Sequence, residues 1–326
     1  KSLRRFRVGS RLIGLMSRMN KWMTAEELDH DGNTVTPAEL CRLVGLGVLE
    51  QSESGDREQD GGQAYHSLWN PYDLVVHRHG SLGGYRGAEA LRSRGIAPPP
   101  VRKSRPDGPV TVLPAPRTDL NMPVGETLLK RRSIRTYGIR PVTLAELSTL
   151  LHHAARVVRI VRDSILGDQA LRPFPGGGAR SELEIYVVAN DVACLNRGAH
   201  YFDPVAHDLV QLRSQEQHHE RLIQSIHAAT GGMLSRDPPV VLLITAVFAR
   251  IMWKYQGIGL VTVYKDTGCL IQTLYLVATA MGLAPCAVGG GDEVTNSRWL
   301  GLDPIVEAQV GCVLIGPRRQ KVSGEQ

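Results

Sequence analysis

Residues 252–291, MWKYQGIGLVTVYKDTGCLIQTLYLVATAMGLAPCAVGGG, decide the architecture of this chain. The segment Asp266–Met281 is long and largely apolar, which predicts a helix, and Gly282 supplies its C-cap. Because this helix is apolar nearly all round, we expect it to be buried in a core or an interface. A Lys254-Tyr255 pair precedes the helix, and Gly289-Gly290-Gly291 follows it.

The chain around this stretch alternates helices and strands from about residue 121. Thr143 and Glu146 form a capping box that starts a helix. Apolar runs predict strands at 184–189, 240–247 and 310–316, and a helix is expected over 216–230. The run 240–247 has no polar alternation, so both of its faces should be covered.

An arginine-rich motif, Arg131-Arg132-Ser133-Ile134-Arg135, lies upstream. In an extended chain Arg131, Ser133 and Arg135 share one face. Guanidinium groups offer paired N–H donors to phosphate oxygens. The motif predicts a phosphate site, although by itself it also fits a solvated basic turn.

Two glycine clusters flank predicted strands. The first, Pro175-Gly176-Gly177-Gly178, leads into the strand at 184–189, and the second is 289–291. The first cluster is not G-x-G-x-x-G and no helix follows it promptly, which argues against a Rossmann dinucleotide site. Together the clusters predict close backbone approach to two edges of a flat ligand. With the arginines and the Lys-Tyr pair, they indicate a phosphate-bearing redox cofactor beside a proton-transfer site.

The N-terminal third has a different character. Thr36-Pro37 and Glu39 carry helix-start signals, and several short helices before a β-segment resemble a winged-helix module. Seven of the 19 prolines fall between Pro98 and Pro116, a composition typical of an extended connector. We therefore predict a winged-helix-like module over 1–60, a connector over 61–120 and a cofactor domain over 121–326.

Charge, cysteine content and hydropathy limit the possible partners and the cellular compartment. The formal net charge of +6 is mild for 326 residues, and the 36–47 helix offers only Arg42 as a basic contact, so no nucleic-acid partner is predicted. The five scattered cysteines predict reduced, buried thiols. No ligand spacing predicts a metal. No apolar run reaches the roughly 18 residues of a membrane span and no signal peptide is recognised, so we expect a cytoplasmic protein.

The order of these segments resembles the nitroreductase fold, and more narrowly the SagB-type dehydrogenases. The resemblance rests on RRSIRTY (131–137), RPFPGGGARSELEIYVV (172–188), the stretch 252–291 and LGLDPIVEAQVGCVLIG (300–316). SagB-type dehydrogenases are flavin enzymes that oxidise thiazoline and oxazoline rings of peptides to thiazoles and oxazoles. The resemblance implies an α+β fold with a central mixed sheet flanked by helices, FMN as cofactor, and a homodimer with FMN at the subunit interface.

The resemblance also implies roles for particular residues. The FMN phosphate and ribityl chain would be held by Arg131, Arg132, Ser133 and Arg135. Pro175, Gly176 and Gly177 would lie against the isoalloxazine, with Gly176 standing where many relatives have serine. Gly289 and Gly290 would lie near flavin N5, and Arg318 or Arg319 would reach the phosphate. Lys254 and Tyr255 match the Lys-Tyr pair needed for azoline oxidation.

The chemistry of azoline oxidation requires such a pair. Aromatisation removes a hydride equivalent from one ring carbon, taken by FMN N5, and a proton from the neighbouring carbon. A lysine ammonium beside Tyr255 would favour its phenolate, whereas burial would favour neutral Lys254. We prefer Tyr255 as the base with Lys254 activating it, but either residue fits, and Tyr264-Lys265 is a second pair. Dioxygen would reoxidise the reduced flavin.

The sequence is also compatible with two other functions. An NAD(P)H-dependent nitroreductase or quinone reductase would share the flavin site, although no separate dinucleotide motif is visible. A binding or scaffold protein would use the N-terminal residues to hold a leader peptide. The expected partners are an azoline-containing peptide, a cyclodehydratase and a second copy of the chain.

Overall fold

The computed structural model describes residues 36–45, 70, 72–73, 75–77, 95–163, 167–213, 216–255 and 257–319. The chain divides into two units, residues 1–84 and 85–326. In the first unit, helix α1 (Pro37–Gly45) begins after Thr36, whose Oγ1 accepts the Glu39 N–H at 3.3 Å. The Glu39 carboxylate accepts the Thr36 N–H at 2.9 Å, which confirms the predicted helix start. The rest of the predicted winged-helix-like module lies outside the described residues.

The second unit contains all the strands of the described chain. In chain order these are β1 (Val110–Val112), β2 (Val142–Thr143), β3 (Arg159–Val161), β4 (Gln169–Leu171), β5 (Leu183–Ala189), β6 (Val192–Ala193), β7 (Gly198–Asp203), β8 (Asp208–Gln211), β9 (Val240–Val247), β10 (Leu283–Val288) and β11 (Glu307–Pro317). Its helices are α2 (Val124–Lys130), α3 (Leu144–Ala155), α4 (Glu216–Ala229), α5 (Phe248–Met252), α6 (Gly259–Ala280) and α7 (Glu293–Trp299), with a 3₁₀ turn at Gly177–Ala179.

Seven strands form the main sheet in the order β1-β8-β7-β5-β9-β11-β10, and every pairing in it is antiparallel. The main sheet is therefore antiparallel, and not mixed as the sequence analysis predicted. The parallel pair, β2 with β6, belongs to a separate small sheet. Helices between strands do not force parallel pairing here, because the chain reverses direction at α7 and brings β11 back antiparallel to β10.

Helices cover both faces of the main sheet. Apolar residues of α3 and α6 pack on one face, and those of α4 and the end of α7 pack on the other. Strands β5 and β9 are central and almost wholly buried, which agrees with the absence of polar alternation in 240–247. Helix α3 begins at the predicted capping box, with both the Thr143 and Glu146 hydrogen bonds present.

Helix α6 ends as predicted but begins earlier. Gly282 follows its last turn with φ +75°, the left-handed conformation that glycine adopts without strain. The helix starts at Gly259, seven residues before Asp266. Asp266 does not start the helix, because its carboxylate accepts a hydrogen bond from the glycine loop and not from the first turn.

The proline-rich stretch belongs to the second unit. Strand β1 forms one edge of the main sheet, and Val101 and Leu113 are buried. Within the described ranges, no helix is long and apolar enough to cross a membrane. All five cysteines are unpaired, and Cys286 and Cys312 are buried as predicted, whereas Cys41 and Cys194 are exposed. Cys194 is exposed because it lies in the turn after β6.

Candidate functional site

The arginine–serine cluster (Arg131, Arg132, Ser133 and Arg135) follows the end of α2. Helix α2 ends where the Arg131 N–H donates to the Thr127 carbonyl at 2.9 Å. The next residues run along β10, with the Ile134 N–H donating to the Pro285 carbonyl at 2.9 Å. The extended backbone expected from the motif is therefore present.

The side chains of the arginine–serine cluster make different contacts. The Arg131 guanidinium lies 5.6 Å from the centroid of the Tyr275 ring. Arg132 folds back on the chain, donating to the carbonyls of Leu129 and Arg131 at 2.9 and 2.7 Å. The Arg135 Nε is buried without a hydrogen-bond partner. Within the described chain, no carboxylate forms a salt bridge with these arginines.

Tyr275 joins this cluster to the second glycine cluster, and the sequence analysis missed it. Its hydroxyl accepts the Ala287 N–H at 2.6 Å and lies 2.9 Å from Ser133 Oγ. Ala287 is two residues before Gly289. Gly289 and Gly290 are exposed, and a Cβ added to either would meet nothing within 4 Å. These glycines therefore border open space next to the arginine–serine cluster.

Arg318 pairs with the chain two residues beyond the arginine–serine cluster. It forms an antiparallel bridge with Tyr137, and its Nε donates to the Leu283 carbonyl at 3.2 Å. Leu283 is the first residue of β10, whereas Ser133 meets its far end through Tyr275. The two positions are roughly 13 Å apart along the strand.

The glycine loop (residues 175–178) lies shortly before the first residue of β5 in the chain. A Cβ added to Gly177 would stand 2.7 Å from Thr262 Cγ2 and 2.8 Å from Ile251 Cδ1. Gly178 has φ +59°, and its added Cβ would stand 2.5 Å from Lys254 Nζ and 2.7 Å from Tyr255 Oη. A Cβ at either position would force these side-chain ends to move, and at position 178 it would also be strained by the positive φ.

The Lys254-Tyr255 pair is thereby placed directly against the loop. Both side chains are half-buried, and Lys254 Nζ lies 5.4 Å from the centroid of the Tyr255 ring. Helix α5 positions them, since the Tyr255 N–H donates to the Ile251 carbonyl at 2.9 Å. The structure thus brings together two features that the sequence kept about 75 residues apart.

Tyr264-Lys265, the other pair considered, lies elsewhere on α6. Tyr264 is 51% exposed. Partial burial and the nearby Glu293 carboxylate raise the pKa of Tyr264. A raised pKa disfavours the phenolate form of Tyr264.

A pair of carboxyl groups lies behind the glycine loop, and it too was missed. Asp266 Oδ2 accepts the Gly177 N–H at 2.6 Å. Burial raises the pKa of Glu182 to about 8, with hydrogen bonding to Asp266 and the charge of Asp266 as the next causes. Acidic residues inside apolar segments were the available signal, because such residues need a specific partner.

One buried ion pair and one cation–π contact lie at the base of the loop. Arg250 donates to Glu184 Oε1 at 2.6 Å and to the Ser181 carbonyl at 2.7 Å, and all three residues are buried. The Arg180 guanidinium lies 5.3 Å from the Trp253 ring centroid. Removing one partner of such a buried pair is costly, so the loop stands on a rigid base.

We call the glycine loop with Asp266 the glycine-loop corner, and the arginine–serine cluster with Tyr275 the arginine–serine corner. Asp266 and Tyr275 both belong to α6 and lie on opposite sides of it. They are nine residues apart, which is 2.5 helical turns, or roughly 13 Å along the axis, with the side chains pointing in opposite directions. The Asp266 and Tyr275 side chains therefore leave α6 on opposite sides.

An antiparallel sheet with helices on both faces, an arginine–serine cluster and two glycine clusters are features of one class of flavoprotein fold. Residues 128–317 match the family described as the nitroreductase family, and the chain belongs to it. FMN is the cofactor of this family. This confirms the predicted fold class.

Two proteins and one solved structure are similar to this chain. Protein MJ1384 of Methanocaldococcus jannaschii, a nitroreductase by name, is 34% identical over 164 residues, covering 50% of this chain and 77% of the relative. The trifolitoxin-processing protein TfxB of Rhizobium leguminosarum bv. trifolii is 24% identical over 178 residues, which cover 53% of this chain and only 47% of TfxB. A nitroreductase crystal structure from Ralstonia eutropha is 22% identical with a TM-score of 0.51, covering 73% of this chain and 99% of that one.

The residues present fit FMN. The buried, unpartnered Arg135 Nε is a donor that lacks an acceptor, and the arginines of the cluster have no carboxylate partner among the described residues. A phosphate dianion would satisfy both conditions. Gly289 and Gly290 leave open space beside them for a flat ring.

Proposed function

We propose that this chain is an FMN-dependent dehydrogenase that oxidises thiazoline or oxazoline rings of a peptide to thiazoles or oxazoles. The single observation that carries the proposal is the contact of Lys254 Nζ and Tyr255 Oη with Gly178 of the glycine loop. FMN, when bound, supplies the acceptor for the hydride equivalent that leaves the ring. The processing role in the name of TfxB supports a peptide as the substrate.

Tyr255 is the proposed base. It removes the proton from the ring carbon next to the one that loses hydride, so the ring loses two hydrogens and gains one double bond. Lys254 lies beside the Tyr255 ring, and its ammonium favours the phenolate. The half-buried position of both side chains limits competition from water.

The cofactor contacts are proposed as follows. The arginine–serine cluster binds the phosphate and ribityl chain, with Arg135 Nε as a donor. Residues 175–177 lie against one edge of the ring, and residues 289–290 lie against the other. Because the two corners face opposite sides of α6, we propose that each site combines the arginine–serine corner of one copy with the glycine-loop corner of a second copy. Arg318, at the other end of β10, is the weakest member of the set.

Further partners are part of the same proposal. The peptide is brought to the site by residues 1–60 acting on a leader segment, and a cyclodehydratase forms the azoline rings. The cytoplasm is the proposed compartment, and dioxygen is the proposed electron acceptor.

Incubating the purified protein with a synthetic thiazoline peptide tests the function. We expect a loss of about 2 Da per ring by mass spectrometry, from removal of two hydrogens. Tyr255→Phe should keep FMN and lose about 100-fold or more in turnover, the usual contribution of a positioned base. Tyr264→Phe is the matched control and should behave as wild type. Equal activity of Tyr255→Phe and wild type would contradict the assignment.

A reductase of nitroaromatics or quinones is the second candidate, favoured by the family itself. Anaerobic mixing with NADPH separates the two functions. Rapid bleaching of the flavin by NADPH, together with an unchanged azoline peptide, would favour the reductase.

A further inference from the structure

A short proline-rich segment is hydrogen-bonded to residues on both sides of the Lys254-Tyr255 contact with the glycine loop. We call this segment, residues 96–100, the strap, and three consecutive prolines occupy positions 98–100. Each proline fixes its own φ and lacks an N–H, so the strap is stiff and its backbone offers mainly carbonyl acceptors. A stiff chain holds its carbonyls in place at little entropic cost.

Three buried side chains donate to three carbonyls of the strap. The hydrogen bonds are Trp253 Nε1 to Ile96 at 2.8 Å, Arg250 Nε to Pro100 at 2.8 Å, and Arg180 Nη2 to Pro99 at 2.9 Å. Each of the three donor residues is 2% exposed or less. The donors are therefore held by the strap and not by solvent.

The donors come from both sides of the contact between Gly178 and the Lys-Tyr pair. Arg180 follows Gly178 by two residues, whereas Trp253 directly precedes Lys254. The Arg180 guanidinium also lies 5.3 Å from the centroid of the Trp253 ring. The strap therefore joins the glycine-loop side and the α5 side of this contact to one stiff row of acceptors.

Charged residues directly after the strap attach it to the main sheet. The ion pairs are Arg102 with Asp203, Lys103 with Glu307, and Arg105 with Asp208. The three carboxylates belong to strands β7, β11 and β8, and all three residues are buried. Because the strap is fixed to the sheet at this end, it cannot follow α5 when α5 moves. It therefore gives the Trp253 side chain a fixed partner.

We propose that Trp253 is a positioning residue for the proposed base: its indole N–H, bound to the Ile96 carbonyl, fixes the place of Tyr255 against Gly178. Tyr255 is two residues from Trp253, and its N–H donates to the Ile251 carbonyl at 2.9 Å, so a shift of the indole moves the phenol with it. A displacement of about 1 Å at a reacting group can lower a rate about 100-fold. The inference rests on the proposed function, which makes Tyr255 the base.

Removing the indole N–H tests this anchor. Trp253→Phe keeps an aromatic ring beside Arg180 and loses the donor, and the Ile96 carbonyl can then bind water, since Ile96 is 47% exposed. Trp299→Phe is the matched control, because Trp299 Nε1 has no hydrogen-bond partner among the described residues. If Trp253→Phe does not fold, a benzothiophene analogue of tryptophan placed at this position keeps the shape of the indole and removes only the N–H.

Hydrogen exchange of backbone amides is the first readout and needs no turnover. The Lys254 and Tyr255 amides both donate to the Ile251 carbonyl. We expect them to exchange about tenfold faster in Trp253→Phe, the effect of one lost hydrogen bond, while the β9 amides stay as protected as in wild type.

Azoline turnover is the second readout. Trp253→Phe should lower kcat about tenfold and leave KM unchanged, because the anchor places the base without touching the substrate. Trp299→Phe should match wild type in both exchange and turnover.

Wild-type exchange at Lys254 and Tyr255 in Trp253→Phe would overturn the inference. Faster exchange throughout β9 would overturn it too, since Trp253 would then stabilise the whole fold. In an active enzyme with faster local exchange, an unchanged kcat would also overturn it, whatever the KM. Faster local exchange in a protein without azoline activity would support the anchoring of Tyr255 and overturn the proposed function.

Discussion

The arginine–serine corner and the glycine-loop corner are built by opposite means. The first presents half-exposed guanidiniums that no described carboxylate neutralises, beside glycines that border open space. The second is sterically closed, with glycines pressed against side chains and a buried carboxyl pair behind them. An unneutralised, open surface suits the binding of a charged group, whereas a closed, rigid one suits the positioning of reacting groups. We therefore expect substitutions in the first corner to change cofactor affinity and those in the second to change turnover.

The largest expected effect comes from mixing two inactive variants. Arg131→Ala/Arg135→Ala disables one corner, and Tyr255→Phe disables the other. If each site uses one corner from each of two copies, a co-refolded mixture should recover about one quarter of wild-type activity, because about half of the dimers are mixed and each has one intact site. Each variant refolded alone is the control. A mixture as inactive as its components would place both corners in one chain.

The buried Glu182 gives the glycine-loop corner a dependence on pH. The folded-state pKa of Glu182 is raised to about 8 from an ordinary 4.5. Its contribution to stability is therefore complete below about pH 4.5 and is lost as the pH rises through about 8. The slope is at most about 1.4 kcal/mol per pH unit. Urea unfolding at several pH values should show this slope in wild type and not in Glu182→Gln.

A single substitution in the arginine–serine corner should weaken FMN binding. Arg135→Gln removes a charged donor that has no protein partner, which corresponds to about 1.5–3 kcal/mol, or roughly 10- to 100-fold in affinity. Arg132→Gln should cost less, because Arg132 donates to backbone carbonyls. Equilibrium dialysis with FMN measures both. Equal losses for the two variants would mean that the arginines act only through their summed charge.

The smallest expected effects are those of two glycine-to-alanine substitutions. Gly178→Ala places a Cβ against Lys254 and Tyr255 at a positive φ, a strain of about 1–3 kcal/mol, and we expect roughly a tenfold loss of turnover with FMN affinity little changed. Gly268→Ala is the matched control, because it lies within α6 and its Cβ would meet nothing within 4 Å. That variant should be stabilised by about 1 kcal/mol. Steady-state kinetics and thermal unfolding distinguish them.

Local signals predicted the helices and strands and drew attention to the Lys254-Tyr255 pair. Capping residues at Thr36 and Thr143 mark where helices begin, since a cap acts within one turn of chain. The left-handed Gly282 marks the end of α6 for the same reason. The arginine–serine and Lys-Tyr motifs stood out because unusual residue types are adjacent in the chain.

Residues whose partners are distant in sequence could not be predicted in this way. Tyr275 looks like a core residue of an apolar helix until Ser133 and Ala287 meet its hydroxyl. Asp266 looked like a helix start, but its carboxylate accepts a hydrogen bond from Gly177, more than 80 residues away. A long-range hydrogen bond leaves no local pattern, because either partner has the same neighbours in the chain with or without it.

The sequence by itself determined which segments fold into helices and strands, which family the chain resembles and which residues are candidates for the chemistry, since all of these depend on composition and short-range spacing. Only the tertiary structure decided that the main sheet is antiparallel, that Lys254 and Tyr255 lie against Gly178, and that the two corners face opposite sides of α6. These depend on how distant segments pack, and packing is set by the free energy of the whole core, which no single stretch of residues carries.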